Sequence, residues 1–553
     1  MSISANFPNV RPSLLLDFAQ SQQLDSRVTF SRSTTAPYYD GKTSALAEQN
    51  LLTYSQTFSN AAWTKQNATI TDNFSIAPDG TTTASKLTAN TSAARIYQGG
   101  TTGNVQATAS IWIKRRTGTG NVNWEIVGVG VGPLITVTSS WQQVTYTATV
   151  LAGGIFYFGL RMDTAGDEID IWGAQLEQRS SVTAYNATTT SAITNYIPQL
   201  LTAPINAPRF DFNPTTGESL GLLIEEQRTN LLLQSENVTS SPWGAGVSGT
   251  STRVQSGWNA GFNIAQITAT SANGGLRQTI SGLTSGQVYT LSFYLQSTLT
   301  SVIVRGENSL STYGASLIAD INPTTGAIGT NAGFVITSAP LGNGRVYKCV
   351  LPAAGGSLFL NIEWISATTN IPFYLGAFQL EAGAFATSYI PTTSAQVTRA
   401  SDNASMTGTN FSSWYNQAEG TLYAEASTVS NGNACVYGIG DSTSNIIRMF
   451  KQNGNQAVYQ VVKDATFSAN LGMATTWTSG YGKIASVYKT DDFATSYNGG
   501  TSVTDTSGAV PIVNTVLTIG IGAGVASLNG YIKKIAYYPI RVTNTQLQAL
   551  TGS

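Results

Sequence analysis

Hydrophobic and polar residues alternate with a period of two along most of the chain, and the 3.6-residue period of an amphipathic helix is nearly absent. In VTYTATV, Val144, Tyr146, Ala148 and Val150 fall on one side, with Thr145, Thr147 and Thr149 on the other. In YTLSFYLQ, Tyr289, Leu291, Phe293 and Leu295 alternate with Thr290, Ser292, Tyr294 and Gln296. In LFLNIEW, Leu358, Leu360, Ile362 and Trp364 share a face. Strands with one apolar and one polar face predict antiparallel sheets packed as sandwiches. The pairs Gly153-Gly154 and Gly355-Gly356 mark turns between them. One short helix is predicted near Thr543 to Leu550, capped by Thr543 or Asn544, with Leu547 and Leu550 on one face.

The pattern also repeats. NLLTYSQTFSNAAW (Asn50 to Trp63) matches NLLLQSENVTSSPW (Asn230 to Trp243) at a constant offset of 180, with 5 of 14 positions identical. Each copy runs through several strands and closes on a similar phrase, GAQLEQRSSVTAYNATT from Gly173 and GAFQLEAGAFATSYIPTT from Gly376. The repeat predicts two tandem antiparallel β-sandwich modules, jelly rolls of the carbohydrate-binding-module type. The chain divides into an N-terminal arm or attachment segment (1–49), a first jelly roll (50–190), a connecting segment (191–229), a second jelly roll (230–400) and a C-terminal domain (401–553). The two linking segments are expected to form strands or extended arms that clamp onto neighbours.

Composition narrows the function. Of 553 residues, 10% are charged and the formal net charge is −1, against roughly 25% charged in an average domain. Nothing resembles the basic surface that nucleic-acid binding requires. The one basic cluster, Lys114-Arg115-Arg116, reads as a solvated turn after a strand. The N-terminus lacks the basic and apolar stretches of a signal peptide, and no segment has the roughly 20 apolar residues that span a bilayer, so no membrane insertion is expected. Cys349 and Cys435 belong to no metal-binding pair; two free buried thiols are the favoured reading, with a disulfide as the alternative.

Candidate chemistry is sparse. With no histidine in the chain, Ser-His-Asp and Cys-His catalysis and His-based metal sites are excluded. A glycosidase needs only two carboxylates across a cleft. Asp163, Asp167, Glu168 and Asp170, or Asp491 and Asp492, supply carboxylates, but both groups read as a polar turn and a hairpin connection. The expectation is a non-enzyme, with no catalytic residue. For structural calcium, Glu177 and Glu381 in the matching exit phrases, or Asp441, are the candidate ligands, against a plain reading as solvated or ion-paired acids. No other cofactor is expected. Sugars stack their C–H faces on aromatic rings, and Trp124, Trp258 and Trp477 stand in polar, Gly-, Ser- or Asn-rich surroundings that suggest exposure. Trp63 and Trp243 hold equivalent places in the repeat, which argues for a core role. The glycine strings from Gly128 and Gly520 open no helix and read as strands or bulges.

RVTFSRST (Arg27 to Thr34) and above all PRFDFNPTTGESLGLLIEEQRTNLLLQSE (Pro208 to Glu236) resemble a family of bacteriophage virion proteins, tail-fibre, tail or head-associated, that carry laminin-G-like (concanavalin A-like) domains. GYIKKIAYYPIRVTNTQLQALT (Gly530 to Thr551) is similar to the closing strand and tail of the same domains. In the family the first two phrases lie close together; here the whole first sandwich stands between them. The resemblance implies a concanavalin A-like sandwich at the C-terminus and a virion structural protein. Such a protein is assembled in the host cytoplasm and displayed on the particle, with other virion proteins as partners and host-surface polysaccharide as ligand. Tandem sandwiches expose long edge strands that symmetric assembly covers, so a homo-oligomer is expected, a trimer if the protein is a fibre. The leading reading is a tail fibre or appendage that binds host glycans. A capsid decoration or head fibre with purely architectural contacts is the alternative, and a polysaccharide depolymerase a second one.

Overall fold

The computed structural model describes the chain except residues 1–7, 9, 103–104, 127–129, 151–154, 181, 184, 246–248, 260–261, 308–316, 343, 352–358, 441, 478–479, 513–515 and 553. The described residues form an all-β fold of tandem antiparallel jelly-roll sandwiches with a concanavalin A-like sandwich at the C-terminal end. The first jelly roll pairs two five-stranded sheets, the second two six-stranded sheets, and the C-terminal sandwich an eight-stranded and a seven-stranded sheet. Each has its own core. Tyr289, Leu291, Phe293 and Leu295 enter the core of the second sandwich, as the alternation requires. Thr290, Ser292, Tyr294 and Gln296, on the opposite face, are buried too; Tyr294 packs there in a smaller cluster with Phe262, Ile264 and Leu341 of the same module.

The C-terminal sandwich is assembled from distant parts of the chain. Its eight-stranded sheet takes Leu14–Asp17, Phe210–Phe212 and Ser219–Ile224 beside Gly530–Tyr538, and its other sheet takes Thr29–Ser31 beside Asn403–Thr407. Leu14, Leu16, Phe18, Val28, Leu222 and Ile224 fill the same core as the 403–553 segment. Both jelly rolls are therefore excursions from one sandwich. The first leaves and returns along a long two-stranded ribbon, Ala36–Asn50 against Ile193–Ala203, and the second along a short one, Arg228–Asn230 against Val397–Arg399.

At the base of both excursions lies a buried ionic hub. Arg32 pairs with Asp402 at 2.9 Å, Arg209 bridges Asp402 and Glu225 at 2.5 and 2.9 Å, and Arg399 also pairs with Glu225. Glu225 further accepts from the backbone N–H and hydroxyl of Ser388 at 2.7 and 2.6 Å. Ion pairs shielded from water hold only when every lone pair is met, and here each carboxylate has several donors. Nearby, Asp211 accepts from Tyr39 N–H at 2.7 Å and the Tyr531 hydroxyl at 3.0 Å.

The two jelly rolls share their internal bonds as well as their strands. Asn50 and Asn230 each donate to two carbonyls of the exit phrase and accept from two backbone N–H groups. Gln98 and Gln278 form the same two-way bond to Thr53 and Leu233. Trp63 and Trp243 are buried and donate to Tyr54 O and Gln234 O, which is the core role their repeat positions imply. The helix Asn544–Gly552 is closed by a reciprocal cap, Gln546 N–H to Thr543 Oγ1 at 3.2 Å and Thr543 N–H to Gln546 Oε1 at 2.9 Å, and buries Leu547 and Leu550. Cys349 and Cys435 are buried and free. No helix is long and apolar enough to cross a membrane.

Candidate functional site

The structure moves most of the residues singled out from sequence away from any binding surface. Trp124 is 4% exposed and stacks among Tyr146 and Phe158 in the first core. Its polar neighbours mislead because Val122 and Trp124 share the inward face of Val122–Ile126, while Asn121 and Asn123 point elsewhere. Trp477 is 1% exposed and donates its indole N–H to Gly480 O, plugging the end of the C-terminal core. Trp258 belongs to strand Ser251–Asn259, but its side chain lies outside the described residues, as does Asp441 altogether.

Glu177 and Glu381 also have a different task from ion binding. Both are fully buried, and each carboxylate accepts from the backbone N–H and hydroxyl of a threonine six residues on, Thr183 or Thr387, and from the amide of Gln175 or Gln379. These donors occupy the lone pairs a calcium ion would need, and burial pushes both carboxyls above their usual range. Among the described residues no three Asp, Glu or Cys side chains stand together in a metal-binding arrangement. Lys114, Arg115 and Arg116 are not a solvated turn but the end of strand Val105–Thr117. They pair with the acids considered above: Arg115 with Asp167, and Lys114 and Arg116 with Asp170. Asp163 pairs with Arg161, Glu168 with Lys86 and Asp492 with Arg541. Asp491 accepts from Gly508 N–H, and Phe493–Tyr497 beyond it is a buried strand rather than a connection.

A cleft of about 470 Å³ lies between the two jelly rolls. One wall is the outward face of the first sandwich's sheet. Ala107, Ala109, Ile111 and Ile113 turn inward along Val105–Thr117, which leaves Trp112 on the outer face with Ser110 and Lys114. The strand register sets Gln143, Trp112 and Trp172 side by side across three adjacent strands. Tyr185 packs on Trp172 at 4.8 Å between ring centroids and bonds Ser55 through its hydroxyl at 2.6 Å. Trp172 is anchored by its N–H to Thr83 Oγ1 at 3.0 Å. The facing wall is the equivalent sheet of the second copy, where the register aligns Gln266, Tyr374 and Gln296 across three strands. Burial pushes the Tyr374 phenol up to about 12, so it stays a neutral hydrogen-bonding group. Gln143 and the indole N–H of Trp112 make no hydrogen bond to any described residue, leaving donors and an acceptor directed to the cleft. Asp79 is the one carboxylate among the described residues of the lining.

Two rows of aromatic rings and amides lining one cleft make a surface for a ligand with both apolar faces and hydroxyls. The signal was present in the sequence. Trp112 stands on the polar side of an alternating strand, SIWIK, and Tyr374 likewise between Phe373 and Leu375. The facing of the two rows depends on how the domains pack, which no local pattern carries.

No family model matches this chain, and no curated protein does. Solved structures with some likeness include the Ruminococcus gnavus IT-sialidase CBM40 bound to alpha2,6 sialyllactose, at 13% identity, 26% of this chain, 88% of that one and a TM-score of 0.24. The CBM22-1-CBM22-2 tandem of Paenibacillus barcinonensis Xyn10C gives 13%, 61%, 99% and 0.20, and the LG1-3 region of the laminin alpha2 chain gives 8%, 80%, 94% and 0.19. At these scores the fold assignment rests on the strand pairing of the chain itself.

Proposed function

We propose that this protein binds carbohydrate in the cleft between its two jelly rolls. The observation that carries this reading is the pair of facing rows, Gln143–Trp112–Trp172 and Gln266–Tyr374–Gln296. Indole rings take the C–H face of a sugar, and side-chain amides read its hydroxyls in both donor and acceptor senses. The phrases at Arg27 to Thr34, Pro208 to Glu236 and Gly530 to Thr551 support placing the protein on a phage particle, as a tail fibre or appendage that meets host-surface glycans.

Screening the protein against a panel of bacterial envelope oligosaccharides, followed by calorimetric titration of the best ligand, tests the binding site. Trp112→Ala is expected to weaken binding by about tenfold or more. A panel without a single ligand, or a ligand indifferent to Trp112→Ala, overturns it. Immunogold labelling of intact virions carrying the chain tests its place on the particle.

A further inference from the structure

A second cavity, of about 510 Å³, lies between the second jelly roll and the C-terminal sandwich. Its only charged lining residues are two lysines, Lys348 and Lys451, with no carboxylate among the described residues of the wall. Lys348 projects from the outward face of strand Gly344–Leu351, whose Tyr347, Cys349 and Leu351 fill the core. Its ammonium has neither an ion pair nor a hydrogen bond among the described residues. Lys451 is 3% exposed, and its one bond, Nζ to Ser430 O at 2.6 Å, leaves two N–H groups unspent.

Carboxylates in the neighbourhood are already committed. Glu225 is held by Arg209, Arg399 and Ser388, and Glu381 by Thr387 and Gln379. Burial pushes the Lys451 amine down, whereas Lys348 is exposed and feels the attraction of Glu225 and Glu381. Two cations share this recess, Lys451 buried and Lys348 exposed at its edge, and the carboxylates that act on Lys348 are already held by other partners, which leaves a place for an anion. Phe385 and Tyr481 add aromatic surface, and Thr337 and Asn431 add hydroxyl and amide groups. Val335 and Val429 stand exposed among the lining residues.

We infer that this cavity takes an acidic sugar unit, its carboxylate or sulfate at Lys348 and Lys451 and its ring against Phe385 and Tyr481. The site is separate from the cleft and stands or falls independently of it.

The test is calorimetry in a Trp112→Ala background, which removes one of the first cleft's two indoles and weakens that site. The probes are oligoglucuronate, oligogalacturonate, a sulfated oligosaccharide, their neutral counterparts and inorganic sulfate. At least one acidic oligosaccharide should bind, its neutral counterpart should not, and Lys348→Gln should weaken binding about tenfold or more. Lys348 is solvent-reached, so Lys348→Gln is expected to fold; Lys451→Met, whose parent is buried, serves as the second variant. Failure of all three acidic probes to bind, or binding unchanged in Lys348→Gln, overturns the inference. Inorganic sulfate binding as tightly as the sulfated sugar overturns its saccharide half.

Discussion

Trp112 and Trp124 stand twelve residues apart in one sandwich, and one pleat decides their roles. Trp112 faces outward beside Gln143 and Trp172, whereas Trp124 points into the core against Phe158. Trp124→Ala and Trp477→Ala should each cost about 3–5 kcal/mol, the usual price of emptying a large core site, as read by chemical denaturation. Trp112→Ala should cost about 1 kcal/mol and act on ligand binding instead. The two asparagines at the module entries are a different kind of residue-scale contributor. Asn230 makes four buried hydrogen bonds that join the entry strand to the exit phrase. Asn230→Ala strands two carbonyls and two N–H groups, and is expected to destabilise the second sandwich by about 3 kcal/mol or more.

At the scale of elements, close approach fixes the C-terminal sandwich. Gly221, in the strand Ser219–Ile224, has φ of +85°, and a Cβ there would lie 2.3 Å from Ile532 O in the neighbouring strand. Gly221→Ala should therefore lower the melting temperature of that domain, while Gly217→Ala, which meets nothing within 4 Å, pays only for its left-handed backbone. Much of this layer was legible from sequence. Alternation located the strands, the Asn-Leu-Leu and Gln-Leu-Glu phrases located the two copies, and Thr543 with Gln546 spelled out the helix cap. Other features were not legible. Leu14–Asp17 and Thr29–Ser31 pair with strands more than 370 residues away, and no local pattern encodes a partner at that distance. Lys114 to Arg116 read as a turn because their counter-charges, Asp170 on another strand and Asp167 just before it, are distant in sequence. Glu177 and Glu381 looked like ligands because a buried carboxylate satisfied by a turn six residues on has no signature beyond its spacing.

For the whole molecule, the hub of Arg32, Arg209, Arg399, Glu225 and Asp402 fixes where both jelly rolls leave the C-terminal sandwich, and so how the two walls of the cleft meet. Attraction to Arg399 and Arg209 outweighs burial and holds the Glu225 carboxyl at about 2, against an ordinary 4.5. A depressed folded value means that its contribution is complete above about 4.5 and is lost as the pH falls toward about 2. Asp211 runs the other way: burial raises it to about 6 from 3.8, so it weakens the fold as pH rises through that interval. Thermal melts between pH 2 and 8 should show a steep acid limb below 4.5, which Glu225→Gln flattens while lowering stability at neutral pH. Function in this molecule turns on a ligand held between two walls from two copies of one module. Its most direct measurement is glycan affinity in three proteins, the wild type, Trp112→Ala on the first wall and Tyr374→Ala on the second. Loss of about tenfold or more in each variant, with both still folded, is the predicted result. A glycan that binds the wild type and is unaffected by substitution on either wall contradicts it.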